Sequence, residues 1–198
     1  MFNKEVIILP SHFYAMLSRM KSIERWGLMR NTRPENLSEH SLEVAFIAHA
    51  LAVIKNRRFG GNVDPNDVAV AAMFHDTSEI ITGDMPTPIK YYNADIKNAY
   101  KQIETVAEEQ LLSLLPDDMR DDFAAIYNPP PEAKKLIKAA DKISALIKCI
   151  EERNSGNREF RSAEQSTLKA IKDLQVPEAD VFLDEFVDSF NLTLDELK

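Results

Sequence analysis

The stretch EVAFIAHALAVI, residues 43–54 of this 198-residue chain, is apolar on nearly every side of a helical wheel. A second stretch, VAVAAMF at 68–74, has the same character. Helices that are apolar all round lie in the middle of a protein rather than at its surface. Both segments are therefore predicted to form central helices rather than peripheral ones.

The remaining sequence also favours helices, because it contains only five glycines and its apolar residues recur at three- and four-residue spacings. Predicted helices span 11–23, 39–55, 65–80, 96–115, 132–154, 159–174 and 177–188, with proline or glycine between most of them. The pattern predicts an all-α helical bundle. It also predicts one domain over 1–198, with a core at about 11–155 and C-terminal helices at about 159–198 packed on it.

Composition limits the kinds of partner that we expect. The formal net charge of −8 disfavours non-specific binding to nucleic acid polymers and to anionic membranes. No apolar run approaches the roughly 20 residues of a membrane span, and the start lacks the apolar core and cleavage site of a secretory leader. Cys149 is the only cysteine, so we expect a small buried residue rather than a disulfide or a thiolate zinc ligand. These features predict a cytoplasmic protein.

A basic stretch at 19–33 is the local exception to the acidic composition. Five basic side chains face a single acid, Glu24; they are Arg19, Lys21, Arg25, Arg30 and Arg33. The stretch could hold a small anionic group, or it could be a solvated basic surface. The charge pattern alone leaves both interpretations open.

The two predicted central helices carry polar groups at their ends. In MFHDTSEIITGDMPTP, residues 73–88, His75 and Asp76 end the second apolar run, and Glu79 follows one turn later. At about 100° per residue these side chains can converge where water is scarce. A lone His–Asp pair is more often a structural hydrogen bond than a metal site. However, His40 lies in the first turn of the other central helix, behind the predicted N-cap Ser38, and offers a third ligand if the two helices pack together.

Three further residues have weaker signals. His49 is nine residues from His40, so an intact helix turns it to the opposite side, and we interpret it as a core or partner-facing histidine. His12 is predicted to lie at the surface. Asp141 falls at the edge of an apolar arc among lysines, where an exposed ion pair with a lysine four residues away is the better interpretation of the pattern.

The order His, His-Asp and a distant Asp on helical segments resembles the HD superfamily of metal-dependent phosphohydrolases. Within it, the bacterial 5′-deoxynucleotidases are similar to this chain almost end to end. The blocks that carry the resemblance are RWGLMRNTRPENLSEHSLEVA at 25–45, IKNRRFGGNV at 54–63, MFHDTSEIITGDMPTPIKYYN at 73–93 and FVDSFNLTLDEL at 186–197. The similarity is weakest at 117–135 and 157–177.

The resemblance implies a set of site residues. It implies that His40, His75, Asp76 and Asp141 hold one divalent metal ion. Two nitrogen and two oxygen ligands suit Co²⁺, Mn²⁺ or a similar transition metal. It also implies Glu79 and Arg25 as catalytic residues. The implied substrate-binding set comprises Arg25, Trp26, His40, Asp76, Asp84, Met85, Pro86, Thr87 and Asp141.

The activity that the resemblance implies is hydrolysis of deoxyribonucleoside 5′-monophosphates, selective for deoxyribose and for the 5′ phosphate, with little discrimination between bases. One alternative is an HD phosphohydrolase that acts on a phosphodiester, a triphosphate or an alarmone. Another is a nucleotide-binding regulatory domain without turnover, which Glu79 disfavours because a carboxylate beyond the ligand set suits water activation. Excess apolar residues at 181–197 predict a homodimer.

Overall fold

The computed structural model of the protein describes residues 10–90 and 92–198. Its α-helices are α1 (Phe13–Leu17), α2 (Leu37–Arg58), α3 (Pro65–Phe74), α4 (Glu79–Thr82), α5 (Thr87–Lys90), α6 (Ala94–Ser113), α7 (Arg120–Tyr127), α8 (Pro131–Asn154), α9 (Arg161–Asp173) and α10 (Pro177–Phe186). Short 3₁₀ helices span Ser18–Ser22, Asp117–Met119, Arg158–Phe160 and Val187–Asn191. The all-α prediction is confirmed. The segment inspected for a leader, 1–9, lies outside the described residues.

Helix α2 is the centre of the fold. It packs against α3 and α8, and these three helices enclose the main core together with α9 and α10. Fully buried side chains such as Leu51, Ile143 and Ile147 fill it. Each contributes about 1.5 to 3 kcal/mol through removal of apolar surface from water. The central positions predicted for the pair α2 and α3 are thus confirmed, and α8 is its third partner.

One face of the central pair is nevertheless exposed. Phe46 on α2 is 67% exposed, and Met73 on α3 is 43% exposed. Leu42 and His49 share the α2 face with Phe46 at helical spacing, and both are exposed. The core alternative for His49 is therefore wrong, and the partner-facing alternative stays a prediction. The helical wheel is apolar on this face as well, so it could not tell which side α8 and α3 would leave uncovered.

The start of α2 differs from the predicted one. Asn36, rather than Ser38, is the N-cap, because its side-chain oxygen accepts from the backbone N–H groups of Ser38 at 3.0 Å and Glu39 at 3.1 Å. The Glu39 carboxylate accepts from the Asn36 N–H in return. Such a capping box is worth about 1 kcal/mol. Helix α2 consequently begins at Leu37 and carries His40, fully buried, in its first turn.

The predicted helix 65–80 is two helices in the structure. Helix α3 ends at Phe74, residues 75–78 form turns, and α4 begins at Glu79. Gly83 ends α4 with φ 74°, a conformation that glycine adopts without steric cost. The break frees His75 and Asp76 from the regular helix. Helix α7 was missed because its eight residues, RDDFAAIY, are too few to show a helical period clearly.

Helix α2 also meets the length and mean-hydropathy criteria for a membrane span, contrary to the expectation from the sequence. Its most apolar 18-residue window is 56% buried inside the fold. The buried apolar side chains of α2 are therefore used in contacts with other helices.

The loop between the first 3₁₀ helix and α2 is fastened to α8. Glu152 on α8 is only 1% exposed, and its carboxylate accepts from the Thr32 N–H, the Thr32 hydroxyl and the side chains of Lys148 and Asn157. Burial acts to raise the pKa of Glu152, but these hydrogen bonds outweigh it and lower the pKa to about 2. An ionised Glu152 thus anchors the loop that carries residues 25–33.

Candidate active site

Four predicted ligands converge from three parts of the fold. His40 comes from the first turn of α2, His75 and Asp76 from the turn after α3, and Asp141 from the middle of α8. Asp76 Oδ2 lies 3.1 Å from His75 Nε2 and 3.5 Å from His40 Nε2. Asp141 Oδ1 lies 3.4 Å from His40 Nε2. One ligand atom each from His40, His75 and Asp76 lies within 4.8 Å of the others, and this close group does not include Asp141.

Hydrogen bonds fix both imidazole rings. His75 Nδ1 donates to the Ala72 carbonyl oxygen at 2.7 Å. His40 Nδ1 donates to Ser144 Oγ at 3.1 Å, and the Ser144 hydroxyl donates to Glu43 Oε2 at 2.5 Å. A proton on each Nδ1 leaves the lone pair on each Nε2, which therefore points into the cluster.

The cluster requires a positive charge at its centre. The Nε2 atoms of His40 and His75 are buried, and neither has a hydrogen-bond partner among the described residues. Lone pairs on these nitrogens would face the oxygens of Asp76 and Asp141, which is unfavourable in a buried site. A divalent cation bound by two imidazole nitrogens and two carboxylate oxygens removes this conflict, and the donor set fits such an ion.

Electrostatics in the cluster also favour positive charge there, which a proton on His75 or a bound cation supplies. Burial acts to raise the pKa of Asp76, but His75 and His40 outweigh it and hold that pKa well below its usual range. Burial likewise opposes ionisation of Asp141, whose pKa is lowered by His40 and Lys142. Burial lowers the pKa of His75, and Asp76 raises it by more. Asp76 and Asp141 are therefore both ionised and can bind a cation.

Asp141 corrects the interpretation from the helix pattern. Its side chain is 24% exposed, and Oδ2 accepts from the adjacent Lys142 at 3.1 Å. Oδ1 faces His40, so Asp141 is not an exposed residue paired with a lysine four positions away. A helical wheel shows only one element, and the polar partner of Asp141 comes from α2.

Glu79 lies at the start of α4, next to the cluster. It is 4% exposed, and its Oε2 is buried without a hydrogen-bond partner in the described part of the chain. Burial, reinforced by the negative charges of Asp76 and Asp84, raises the pKa of Glu79 to about 9. In the metal-free protein Glu79 therefore keeps its proton at neutral pH, and a cation bound beside it would lower this pKa and favour the carboxylate.

Arg25 is the basic residue that turns inward. Its side chain is 12% exposed, and Nη1 donates to Asp76 Oδ2 at 3.3 Å. Burial lowers the pKa of Arg25, but Asp76 and Asp141 raise it by more, so the guanidinium stays charged. Arg30 and Arg33 are 94% and 76% exposed at their side chains and pair with surface glutamates. The interpretation as a solvated basic surface therefore holds for Arg30 and Arg33, whereas an anion site at Arg25 stays a prediction.

A cavity of about 550 Å³ opens beside the cluster. Arg25, Trp26, Pro86, Thr87 and Asp141 are among its lining residues, as is Asp84. Its size is typical of small-molecule sites. Met85 is half-buried and does not line it. The structure thus brings the predicted metal and substrate residues together, with the exception of Met85.

A second, smaller cavity of about 270 Å³ also reaches His75 and Asp141. Its walls include Phe74, Tyr127 and Lys138. Arg25 and Trp26 do not line this cavity, so the larger one is the better candidate for a phosphorylated ligand.

Sequence reasoning missed the residues that support the site. Glu35 accepts hydrogen bonds from Arg25 and Trp26, and Ser144 with Glu43 orients His40. Glu35 is separated from its partners by a loop, and Ser144 is 104 positions from His40. Neither separation corresponds to a helical period, so no regular pattern could have revealed them.

Comparisons with known proteins identify the family. The family model described as "5′-deoxynucleotidase YfbR-like" matches residues 12–190. A 5′-deoxynucleotidase of Photobacterium profundum is 52% identical over 190 residues, which cover 94% of this chain and 98% of that protein. A 5′-deoxynucleotidase of Vibrio parahaemolyticus is 50% identical with the same coverage.

Solved structures of lower identity support the fold. An HD-domain phosphohydrolase from Listeria innocua superposes with a TM-score of 0.79 at 21% identity, covering 90% of this chain and 88% of that one. The cyanophage S-2L HD phosphohydrolase DatZ, bound to dA and one catalytic Zn²⁺ ion, superposes with a TM-score of 0.64 at 20% identity, covering 92% of this chain and 98% of that one. The fold is thus that of the HD-domain phosphohydrolases, and from the family model and the sequence relatives we conclude that the chain belongs to the YfbR-like family of 5′-deoxynucleotidases.

Proposed function

We propose that this protein hydrolyses deoxyribonucleoside 5′-monophosphates to deoxyribonucleoside and inorganic phosphate. The observation that carries the proposal is the pair of buried Nε2 atoms of His40 and His75, which have no hydrogen-bond partner among the described residues. Asp141, which faces His40, lines the same cavity as Arg25 and Trp26. This combination joins a site for a cation to a site for a phosphate ester. Membership of the family supplies the substrate class.

His40, His75, Asp76 and Asp141 would hold the divalent ion, and we propose Co²⁺, Mn²⁺ or a similar transition metal. When bound, such an ion polarises a phosphate oxygen and lowers the pKa of water towards about 7. The contacts of Ser144 and Ala72 keep both imidazoles in the tautomer that ligation needs.

Arg25 binds and orients the phosphoryl group. Its planar guanidinium can donate two parallel hydrogen bonds to phosphate oxygens, which a lysine cannot do. The Nη1 contact with Asp76 holds this guanidinium at the edge of the cluster. A phosphate that binds Arg25 is thereby brought next to the ligand set, which reduces the entropic cost of reaching the transition state.

Glu79 handles the proton of the attacking water. The water oxygen forms a bond to phosphorus, its proton passes to the Glu79 carboxylate, and the bond between phosphorus and the 5′ oxygen breaks. Glu79 can then return the proton to the departing 5′ oxygen. Glu79 is buried, and a cation bound by the neighbouring ligands would lower its raised pKa, so that the carboxylate can accept the proton in the first step and return it in the second.

Selectivity for the sugar rests on Trp26 and the loop Asp84 to Thr87. A close wall at C2′ leaves a ribose hydroxyl either clashing or buried without a partner. An unsatisfied buried hydroxyl costs roughly 1 to 3 kcal/mol, which corresponds to about a 10- to 100-fold preference for deoxyribose. A 3′ ester cannot reach Arg25 while its sugar remains against the loop. No residue placed at the loop is dedicated to one base, so we expect little discrimination between bases.

We further propose that the enzyme is a cytoplasmic homodimer whose only partners otherwise are nucleotides. The apolar side chains of the C-terminal segment support the dimer, since Phe186, Leu192, Leu194 and Leu197 are between 43% and 87% exposed. A second copy is the occupant that we propose for this surface. Sedimentation velocity at micromolar concentration should give twice the mass of one chain, and a monomer would contradict the proposal.

A phosphate-release assay tests the function. We expect cleavage of dAMP, dGMP and dTMP with similar kcat/KM, weaker cleavage of AMP and little of 3′-AMP. Triphosphates, cyclic dinucleotides and alarmones belong in the same panel, because preference for one of these would favour another HD-type phosphohydrolase. Binding of nucleotides without turnover in the presence of Mn²⁺ or Co²⁺ would favour a regulatory domain.

A further inference from the structure

Two residues of the proposed substrate cavity share one anchor, Glu35. Glu35 Oε2 accepts a hydrogen bond from Trp26 Nε1 at 2.8 Å and another from Arg25 Nε at 3.3 Å. The Glu35 carbonyl oxygen also accepts from the Arg25 backbone N–H at 2.9 Å. A single glutamate therefore holds the side chains of two consecutive residues and the backbone of one of them.

Glu35 lies behind these residues rather than in the cavity. Its side chain is 12% exposed, and it does not line the cavity of about 550 Å³ that Arg25 and Trp26 line. It borders a separate cleft with Glu39 and Glu43. The hydrogen bonds of Glu35 therefore act on a ligand in the larger cavity through Arg25 and Trp26.

The position of Glu35 is itself fixed by the start of α2. The next residue, Asn36, caps that helix and forms an isolated β-bridge with Glu24. The Leu37 N–H donates to the Ile23 carbonyl oxygen at 2.9 Å, and Leu37 is fully buried. Helix α2 carries His40 one turn later, so Glu35 and the proposed ligand set share one rigid support.

The backbone of Trp26 adopts a strained conformation that neighbouring contacts must hold. Its φ is 59°, in the left-handed region that residues other than glycine rarely adopt. A strained conformation persists only where surrounding contacts hold it. For the indole ring, those contacts are the hydrogen bond to Glu35 and packing on Phe160, whose ring centroid is 5.3 Å away.

We propose that Glu35 is a positioning residue that holds Arg25 and Trp26 as one unit, so that the phosphate contact and the sugar wall keep a fixed separation. This inference rests on the proposed function. A substrate is selected by fitting both anchors at once, and a loosened pair tolerates other geometries. Loss of Glu35 should therefore reduce selectivity for the sugar and for the phosphate position, as well as rate.

The test compares Glu35→Ala and Glu35→Gln with the matched control Glu39→Ala. Glu39 is also a glutamate at the start of α2, where it completes the capping box and pairs with Arg33. Kinetics are measured on dAMP, AMP, the 3′ monophosphate of deoxyadenosine and 4-nitrophenyl phosphate, which lacks a sugar. Trp26 is the only tryptophan, so intrinsic fluorescence and acrylamide quenching report its position independently of turnover.

Glu35→Ala should lower kcat/KM for dAMP about tenfold or more and reduce the dAMP-to-AMP ratio several-fold, with a smaller effect on 4-nitrophenyl phosphate. The relative rate on the 3′ ester should rise, and the emission should shift to longer wavelength with stronger quenching. Glu35→Gln keeps an oxygen that accepts from the Trp26 indole N–H, so its spectrum and ratio should stay near wild type. Glu39→Ala should lower the melting temperature while the spectrum and the ratio remain unchanged.

A wild-type ratio and spectrum in folded Glu35→Ala would overturn the proposal, as would the same losses in Glu39→Ala. If circular dichroism shows that Glu35→Ala does not fold, Glu35→Asp replaces it in the test. The aspartate side chain is one methylene shorter, so its carboxylate does not reach both Trp26 and Arg25. This variant should show the red shift and the reduced ratio, and wild-type behaviour would overturn the proposal. A wild-type enzyme without sugar preference would instead refute the proposed selectivity, while the fluorescence still reports whether Glu35 holds Trp26.

Discussion

Arg25 Nη1 lies 3.3 Å from Asp76 Oδ2, although the two residues are 51 positions apart in the chain. The contact joins the loop before α2 to the turn after α3. It therefore connects the proposed phosphate-binding residue to the proposed ligand set in one buried network. Networks of this kind are sensitive to the shape of the donor as well as to its charge.

Arg25→Lys tests the importance of that shape. Lysine keeps the positive charge but loses the planar fork and the Nε contact with Glu35. We expect kcat/KM for dAMP to fall roughly 100-fold, or about 3 kcal/mol, with unchanged metal content. Arg33→Lys is the matched control, since Arg33 is 76% exposed and should tolerate the change. Equal losses in both variants would show that the guanidinium of Arg25 has no special role.

Removal of ligands tests the proposed metal site. His75→Ala and Asp76→Ala should both lose the ion, measured by elemental analysis after dialysis. Added Co²⁺ or Mn²⁺ should raise the melting temperature of wild type but not of either variant, because an ion that binds only the folded state stabilises that state. His49→Gln is the control, since His49 is exposed on the outer face of α2. Loss of the ion from His49→Gln would contradict the assignment.

The sequence predicted the helices better than it predicted their ends and exposed faces. Apolar runs identified α2 and α3, and apolar residues at helical spacing identified α8, because burial of apolar surface dominates the packing of all three. The break at His75 was missed because residues 65–80 continue a helical pattern, and the turn depends on local hydrogen bonds such as that from the Glu79 N–H to the Asp76 carbonyl oxygen. The exposed face of Phe46 was missed because hydrophobic pattern does not say which neighbours cover a helix.

The residues of the site could likewise be predicted from the sequence only in part. His40, His75 and Asp76 could be grouped from the sequence, because they end two helices that were both predicted to be central. Asp141 was placed with them only by family resemblance, since its own helix gave the opposite interpretation. Glu35 could be found only in three dimensions, because its contacts cross a loop.

Ser144→Ala tests the support for His40. Without the hydroxyl, His40 Nδ1 loses its acceptor at 3.1 Å, and the ring is free to turn or change tautomer. We expect the affinity for Co²⁺, measured by titration calorimetry, to fall by about 10- to 100-fold. Ser41→Ala is the control, since the Ser41 hydroxyl is buried without a hydrogen-bond partner in the described residues. Unchanged affinity in Ser144→Ala would mean that packing alone orients the ring.

Glu152 should give the protein an acid-sensitive part of its stability. Its pKa of about 2 in the folded protein lies below the ordinary 4.5, so its stabilising effect is complete above about pH 4.5 and is lost as the pH falls towards 2. The shift corresponds to about 3 kcal/mol. In urea unfolding, the difference between wild type and Glu152→Gln should be largest at neutral pH and should shrink below pH 4.5. A difference that is independent of pH would exclude an ionised Glu152.

Glu79→Gln separates the catalytic role of Glu79 from any structural role. The raised pKa of about 9 means that the folded, metal-free protein holds a proton that the unfolded chain releases near pH 4.5. Stability therefore falls as the pH rises between these values, and at pH 7 the penalty is about 3 kcal/mol. Glutamine resembles the protonated side chain and carries no such penalty. The metal-free variant should consequently unfold at higher urea concentration than metal-free wild type at pH 7, and the two should converge near pH 4.

In the metal-loaded Glu79→Gln variant, by contrast, kcat for dAMP should fall about 100-fold or more, because glutamine cannot accept a proton from water, while metal content and dAMP affinity persist. A gain in stability without loss of turnover would remove Glu79 from the mechanism, and loss of the ion would make it a ligand.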